Sequence, residues 1–254
     1  MQRRNYMSTE TKFKKNEVRQ FPTNDAFLQN KKLNDIIYGF FQTHSYLTPD
    51  KQRYCLKSET SAAKVIEYFS NPVTEECRCP VSDRTIRSMI KLFIDGGILK
   101  EGTIDKKKVY ILPEIAAGQF EYIKTDTLRY LVNTATSHVI KTYAFLMKKQ
   151  KQHINGKFTE PYKFSKTKIL EIIGYTGSNS SSFKMVDDIL DCLINNQLIA
   201  VHKEVTITRN NIRTEYFVLD DVFEDYKHNV ASKTQKDESY CAVVVPLENG
   251  EFKF

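Results

Sequence analysis

One pattern constrains this chain more than any other: a helix, a sharp stop and two short strands, occurring twice at a spacing of 100 residues. In residues 82–113, Ile86, Met89, Ile90, Phe93 and Ile94 fall on one face of a helix. Arg84, Arg87, Ser88 and Lys91 recur at i, i+3, i+4, i+7 on the opposite face. Ser82 is placed to cap the start, with Thr85 in the first turn, and Gly96-Gly97 stops the helix. The β-prone runs 98–100 and 109–112 then flank a turn carrying Lys106, Lys107 and Lys108. The second copy is a helix over 182–196 with Phe183, Val186, Ile189, Leu190, Leu193 and Ile194 inward. A strand from Leu198 to Ile207, a tip at Arg209, Asn210 and Asn211, and a return strand over 213–219 follow. The segments 94–99 (IDGGIL) and 194–199 (INNQLI) align where each helix stops.

The residues before each copy read as the helices such a unit needs. Leu33, Ile36, Ile37, Phe40 and Phe41 predict a buried helix over 33–46, and Ala62, Val65, Ile66 and Phe69 a second over 61–69. A short strand over 53–56 fits between them. In the second half, Val139, Ile140, Tyr143, Leu146 and Met147 line one side of a helix over 137–150. Its end is basic, with Lys148, Lys149 and Lys151 suited to the helix dipole. Residues 165–174 predict a helix capped by Ser165 and stopped by Gly174, with Lys163-Phe164 as a strand pair before it. Residues 114–122 read as a connection that is either a loop or a lead into the next helix, and 128–132 as one helical turn. The expected fold class is α+β, mainly helical, with two tandem winged helix-turn-helix domains over 31–118 and 119–222. A flexible N-terminal arm over 1–30 and an acidic polar tail over 223–254 flank them.

Charge is distributed unevenly. Residues 1–219 carry an excess of 11 positive charges and residues 220–254 an excess of 4 negative ones. A basic body suits a polyanion, and an acidic tail suits a protein partner or self-shielding. The N-terminal residues lack the apolar core of a secretory signal, and the longest apolar run, around 241–245, is too short to span a bilayer. A cytoplasmic location without membrane attachment is the expectation. Five cysteines make an odd number without framework spacing. Cys77 and Cys79 lack the second ligand pair that zinc ribbons need, so no metal and no cofactor are expected.

Enzyme signatures are missing: there is no glycine-rich phosphate loop, no HExxH, no nucleophile elbow and no cysteine–histidine pairing. Fourteen tyrosines leave a DNA-nicking nucleophile open, but the five histidines form no cluster to hold its metal. The expectation is a non-enzymatic, double-stranded-DNA-binding protein. In the first unit Ser82, Arg84, Thr85, Arg87, Ser88 and Lys91 would meet DNA, arginine forking onto guanine edges or phosphates. Lys106, Lys107 and Lys108 would touch phosphates only. In the second, the small donors Ser178, Asn179, Ser180, Ser181 and Ser182 begin a helix, with Lys184 one turn inward. Lys166, Lys168, Arg209, Asn210 and Arg213 would surround them with charge. Asp187, Asp188 and Asp191 are hard to place against DNA.

Over roughly residues 31–219 the chain resembles the replication initiators of plasmids and phages that are built from two winged helices. The resemblance is one of architecture, carried by the helix over 137–150 and the helix-stop-strand pattern over 194–219. It implies a DNA-binding initiator of replication, sequence-specific and dimeric, whose second module reads repeated origin sites. In this chain the first recognition helix is the more basic, a departure from that division of labour. A replication-machinery partner on the C-terminal tail is a further expectation. Two alternatives stay open: a transcriptional regulator with the same modules, and a protein-interaction module using winged helices for assembly.

Overall fold

The computed structural model describes residues 18–70, 82–155, 162, 164–176, 179–206 and 211–218. In chain order they form β1 (Val18–Pro22), α1 (Asp25–Leu28), α2 (Asp35–Thr43), β2 (Tyr46–Leu47), β3 (Arg53–Leu56), α3 (Lys57–Thr60), α4 (Ala62–Ser70) and α5 (Asp83–Asp95). There follow β4 (Lys100–Ile104), β5 (Lys107–Leu112), β6 (Phe120–Lys124), α6 (Thr125–Thr134), α7 (Val139–Asn155), α8 (Lys166–Ile172), α9 (Ser180–Asn195), β7 (Ile199–Thr206) and β8 (Asn211–Val218). The fold is α+β and mainly helical, with small antiparallel sheets in the orders β1-β6, β2-β3-β5-β4 and β7-β8. No described helix is long and apolar enough to cross a membrane.

Local chemistry sets the helix starts. The side chains of Asn24, Asn34, Ser82, Ser165 and Asn179 accept the first free N–H groups of α1, α2, α5, α8 and α9. The strand anticipated over 53–56 is β3, paired with β5.

Three differences from the sequence expectation concern the N-terminus and the middle. The part of the N-terminal arm that is described is built into the fold: β1 pairs with β6, and Phe21 is fully buried. Arg19 is buried too, donating from Nε to the Gln42 carbonyl at 2.9 Å in the last turn of α2. A cation there meets the negative end of the helix. The connection over 114–122 contains the start of β6, and the single turn over 128–132 is the ten-residue α6. The strand is not evident in the sequence because β6 alternates inward Glu121 with inward Ile123. Its inner face is therefore not apolar in sequence.

The central helix differs as well. A one-sided α7 was expected, but 139–147 are buried all round, including Lys141 and Thr142. It packs against α2, β1, β6, α9 and β8, and a helix enclosed in this way has no solvent face to mark by polarity. Lys148, Lys149 and Lys151 lie within the helix, not at its terminus, since α7 runs on to Asn155. Lys148 donates to the Thr23 hydroxyl at 3.0 Å and the Gly118 carbonyl at 2.6 Å, and Lys151 pairs with Glu121 at 2.6 Å.

The buried polar groups around α7 tie the first half of the chain to the second. The fully buried Asp35 carboxylate accepts the His138 N–H at 2.8 Å and the Lys141 N–H at 3.1 Å. It thus caps α7 from a distance of over a hundred residues in sequence. The Lys141 ammonium, also fully buried, faces the carbonyls of Leu28, Asn30 and Leu33 at 3.3–3.5 Å. Burial lowers the Lys141 pKa against the opposing pull of Asp35. Burial likewise pushes the His138 imidazole down to about 4, with Asp35 opposing, so the ring is neutral at pH 7. Helix α6 adds a second tie: Tyr68 donates to Asn133 at 2.6 Å, and Tyr130 donates to Asn196 at the end of α9. Among the described residues one hydrophobic cluster runs from Phe21 to Ile199.

The repeat seen in the sequence holds in the backbone. After α5, Ile98 N–H bonds to the Phe93 carbonyl at 2.8 Å and Gly97 N–H to Ile94 at 3.0 Å. After α9, Leu198 N–H bonds to Leu193 at 2.9 Å and Gln197 N–H to Ile194 at 2.8 Å. This is the same αL helix stop at the same offset, with φ of +68° at Gly97 and +55° at Gln197. The next residue but one, Leu99 or Ile199, is fully buried in each copy. Among the described residues the copies are unequal in their sheets: Phe164 is in no strand and stacks on Tyr162. Lys163 lies outside the described residues. Gln197→Gly removes a side chain from the left-handed region and is expected to stabilise the fold by about 1 kcal/mol in urea unfolding.

Candidate nucleic-acid interface

Helix α5 is held by one side. Ile86, Met89, Ile90 and Phe93 are buried, and Phe93 meets Tyr38 and Phe41 edge-on at ring distances of 6.0 and 6.3 Å. Arg84, Arg87, Ser88 and Lys91 are exposed on the opposite side, as the spacing predicts. None of the three cations pairs with an acid among the described residues. Asp95 is exposed one turn beyond Lys91. Ser82 and Thr85 serve the helix itself. The Ser82 hydroxyl accepts Thr85 N–H at 3.3 Å and lies 2.9 Å from the Thr85 hydroxyl. Capping is therefore where their polar atoms are engaged.

The hairpin that follows is tighter and later than expected. Ile98 and Leu99 belong to the helix stop, and pairing begins at Lys100. Ile104 pairs with Lys107, leaving a two-residue turn of Asp105 and Lys106 with φ of +47° and +62°. Both residues at positive φ make this a type I′ turn, whose twist matches the strands. Lys106 is thus the only lysine of its trio in the turn. Lys107 and Lys108 open β5, and neighbouring strand residues point to opposite faces of the sheet. The trio does not form one contact surface. At the base of the hairpin, Lys57 pairs with Glu101 at 2.5 Å and lies 4.7 Å from the Tyr110 ring centre.

In the second unit the structure redistributes the expected roles. Helix α9 begins two residues earlier than the sequence suggests, at Ser180, because Asn179 is its cap. The Asn179 side-chain oxygen accepts Ser182 N–H at 2.8 Å and the Ser181 hydroxyl at 2.9 Å. Ser180 and Lys184 are exposed, and Ser182 is half-buried. Lys166 is ion-paired with Asp187, and Lys168 with Glu171 at 2.9 Å. These two lysines, expected among the DNA-facing charges, are partly neutralised by their own unit. The Lys166 pair also accounts for Asp187. Arg213 stands in β8 opposite Glu204 in the strand register. Ser178, Arg209 and Asn210 lie outside the described residues.

A segment expected in the arm and its junction lies against this unit. Gly174, at φ +85°, sits directly on the Gln29 carbonyl. Lys31 places its ammonium 5.2 Å from the ring centre of Tyr175, in the turn between α8 and α9. Elsewhere, a groove of about 440 Å³ runs between α1 and the end of α5. It is walled by Phe27, Leu33, Leu92, Ile98 and Pro113, with Glu114 its one carboxylate. No cluster of three or more potential metal ligands occurs among the described residues.

Comparison with known proteins finds no matching family model, no matching curated protein and no matching solved structure.

Proposed function

We propose that this is a DNA-binding protein, a sequence-specific replication initiator of a plasmid, phage or other mobile element. Its two helix-and-hairpin units are read as tandem winged helices. The observation that carries the reading is α5, whose cationic side is exposed and free of acid partners among the described residues while its apolar side is locked into the core. A rigid helix of this kind fits a major groove. The sheet order β2-β3-β5-β4 supports it, since β3, the strand between α2 and α4, pairs with β5, the last hairpin strand. Lys106 at the turn is then suited to a phosphate. Dimerisation and recruitment of replication proteins belong to the same reading.

The test is a DNA titration with the sequence flanking the gene, by fluorescence anisotropy. Arg84→Ala with Arg87→Ala should lower affinity by roughly 30-fold or more, at about 1–3 kcal/mol for each of the two base-edge contacts. Both side chains are exposed, so the melting temperature should barely move. Unchanged affinity would remove α5 from the interface. A site beside a promoter instead of repeated origin sequences would make the protein a transcriptional regulator.

An assembly role is favoured by a different observation. The outer face of the β1–β6 ribbon carries exposed Val18 and Tyr122, with Phe120 edge-on to Tyr122 at 5.0 Å. If the intact protein binds no DNA in the same titration, assembly becomes the better reading.

A further inference from the structure

We infer that the loop over 29–34 is a third DNA-contacting element, in which Lys31 and Lys32 hold phosphates next to the second unit. This rests on the DNA-binding reading above and extends it to residues outside both helix-and-hairpin units. The loop precedes the first unit in sequence, yet it is docked on the second. Its backbone carries Gly174 against the Gln29 carbonyl. The buried Lys141 ammonium gathers the carbonyls of Leu28, Asn30 and Leu33. Asn30 closes the loop internally, its side-chain oxygen accepting Lys32 N–H at 3.1 Å. Leu28 and Leu33 anchor both ends in the core.

What this rigid loop presents to solvent is two adjacent lysines, both exposed and neither ion-paired among the described residues. Lys31 stands over the face of Tyr175, four residues before the Asn179 cap that starts α9. Lys31 is therefore stationed at the entrance to the second unit's candidate recognition helix, with Lys32 next to it in the chain, and the neighbouring Lys166 and Lys168 are occupied by Asp187 and Glu171. Positive charge that α8 spends internally is supplied here from the N-terminal segment. Ammonium groups are point charges that take phosphate oxygens without reading bases. Because the loop is already ordered, little conformational entropy is lost when it binds.

The experiment uses the full chain and the flanking DNA, with affinity measured over a series of salt concentrations. Lys31→Ala with Lys32→Ala should weaken binding about tenfold near physiological salt. It should also lower the slope of log affinity against log salt by nearly 2, at about 0.9 per phosphate contact. Lys31→Arg with Lys32→Arg should restore both. The idea is overturned if affinity and slope are unchanged while the Arg84/Arg87 variant weakens binding, in which case DNA binding stands without this loop. It is equally overturned if the arginine variant is as defective as the alanine one, since that marks a packing role for the lysine stems. If the wild-type chain binds no DNA, this inference falls together with the reading on which it rests.

Discussion

Replacing Asp35 by Ala should destabilise the protein by about 3–5 kcal/mol, lowering the melting temperature by on the order of 10 °C. Asp35 is fully buried, and its two oxygens take the His138 and Lys141 N–H groups at the start of α7. Removing the carboxylate leaves those N–H groups with nothing to replace water. It also leaves the Lys141 ammonium, at no solvent exposure, without the negative charge that opposes its desolvation. Asp35→Asn separates the two effects. It keeps one acceptor for the helix start but supplies no charge, so it should fall between wild type and Ala. Urea unfolding followed by circular dichroism gives the comparison. A cost under about 1 kcal/mol for Asp35→Ala would mean that α7 does not depend on this cap.

The second large effect is expected at Gly174, and Gly97 is its control. Both are glycines at positive φ, +85° and +68°, so an alanine at either position costs about 1 kcal/mol of backbone strain. Around Gly97 a Cβ would meet nothing within 4 Å. At Gly174 it would overlap the Gln29 carbonyl, a backbone group that cannot rotate away. Gly97→Ala should therefore cost about 1 kcal/mol, and Gly174→Ala more than about 3 kcal/mol. The difference isolates the contact between the 29–34 loop and the second unit. Equal costs, measured by thermal unfolding of both variants, would mean that this contact contributes nothing.

How much could be read in advance depended on where the information was local. The exposure of Arg84, Arg87, Ser88 and Lys91 is legible because helical spacing alone sorts exposed from buried residues on α5. The stop after α5 was legible in Gly97, and the matching stop after α9 was legible only by its offset, since Gln197 is no glycine. The hairpin is legible in the sequence, but its register is not. Three consecutive lysines suggest a turn that carries all of them, while the turn is set at Asp105 and Lys106 by their positive φ values. The pairing of Lys168 with Glu171 is legible from their i,i+3 spacing, but sequence proximity cannot reveal that Asp187, on the next helix, takes Lys166.

The units themselves are written in the order of residues: helix faces set by a 3.6-residue period, caps set by Asn and Ser, and stops set by residues that enter the left-handed region. These are short-range effects, decided within a few residues of each position. How the units are joined is a matter of the packed molecule. The pairing of β1 with β6, the Asp35 cap on α7, the carbonyl cradle of Lys141 and the seat of Gly174 on Gln29 all connect residues about a hundred or more positions apart. Such contacts are chosen by burial and by the need to satisfy polar groups once water is excluded. No periodicity records that choice. It turns the junction between the two units into part of the core, and it sets Lys31 over Tyr175, in a turn more than a hundred residues away in sequence.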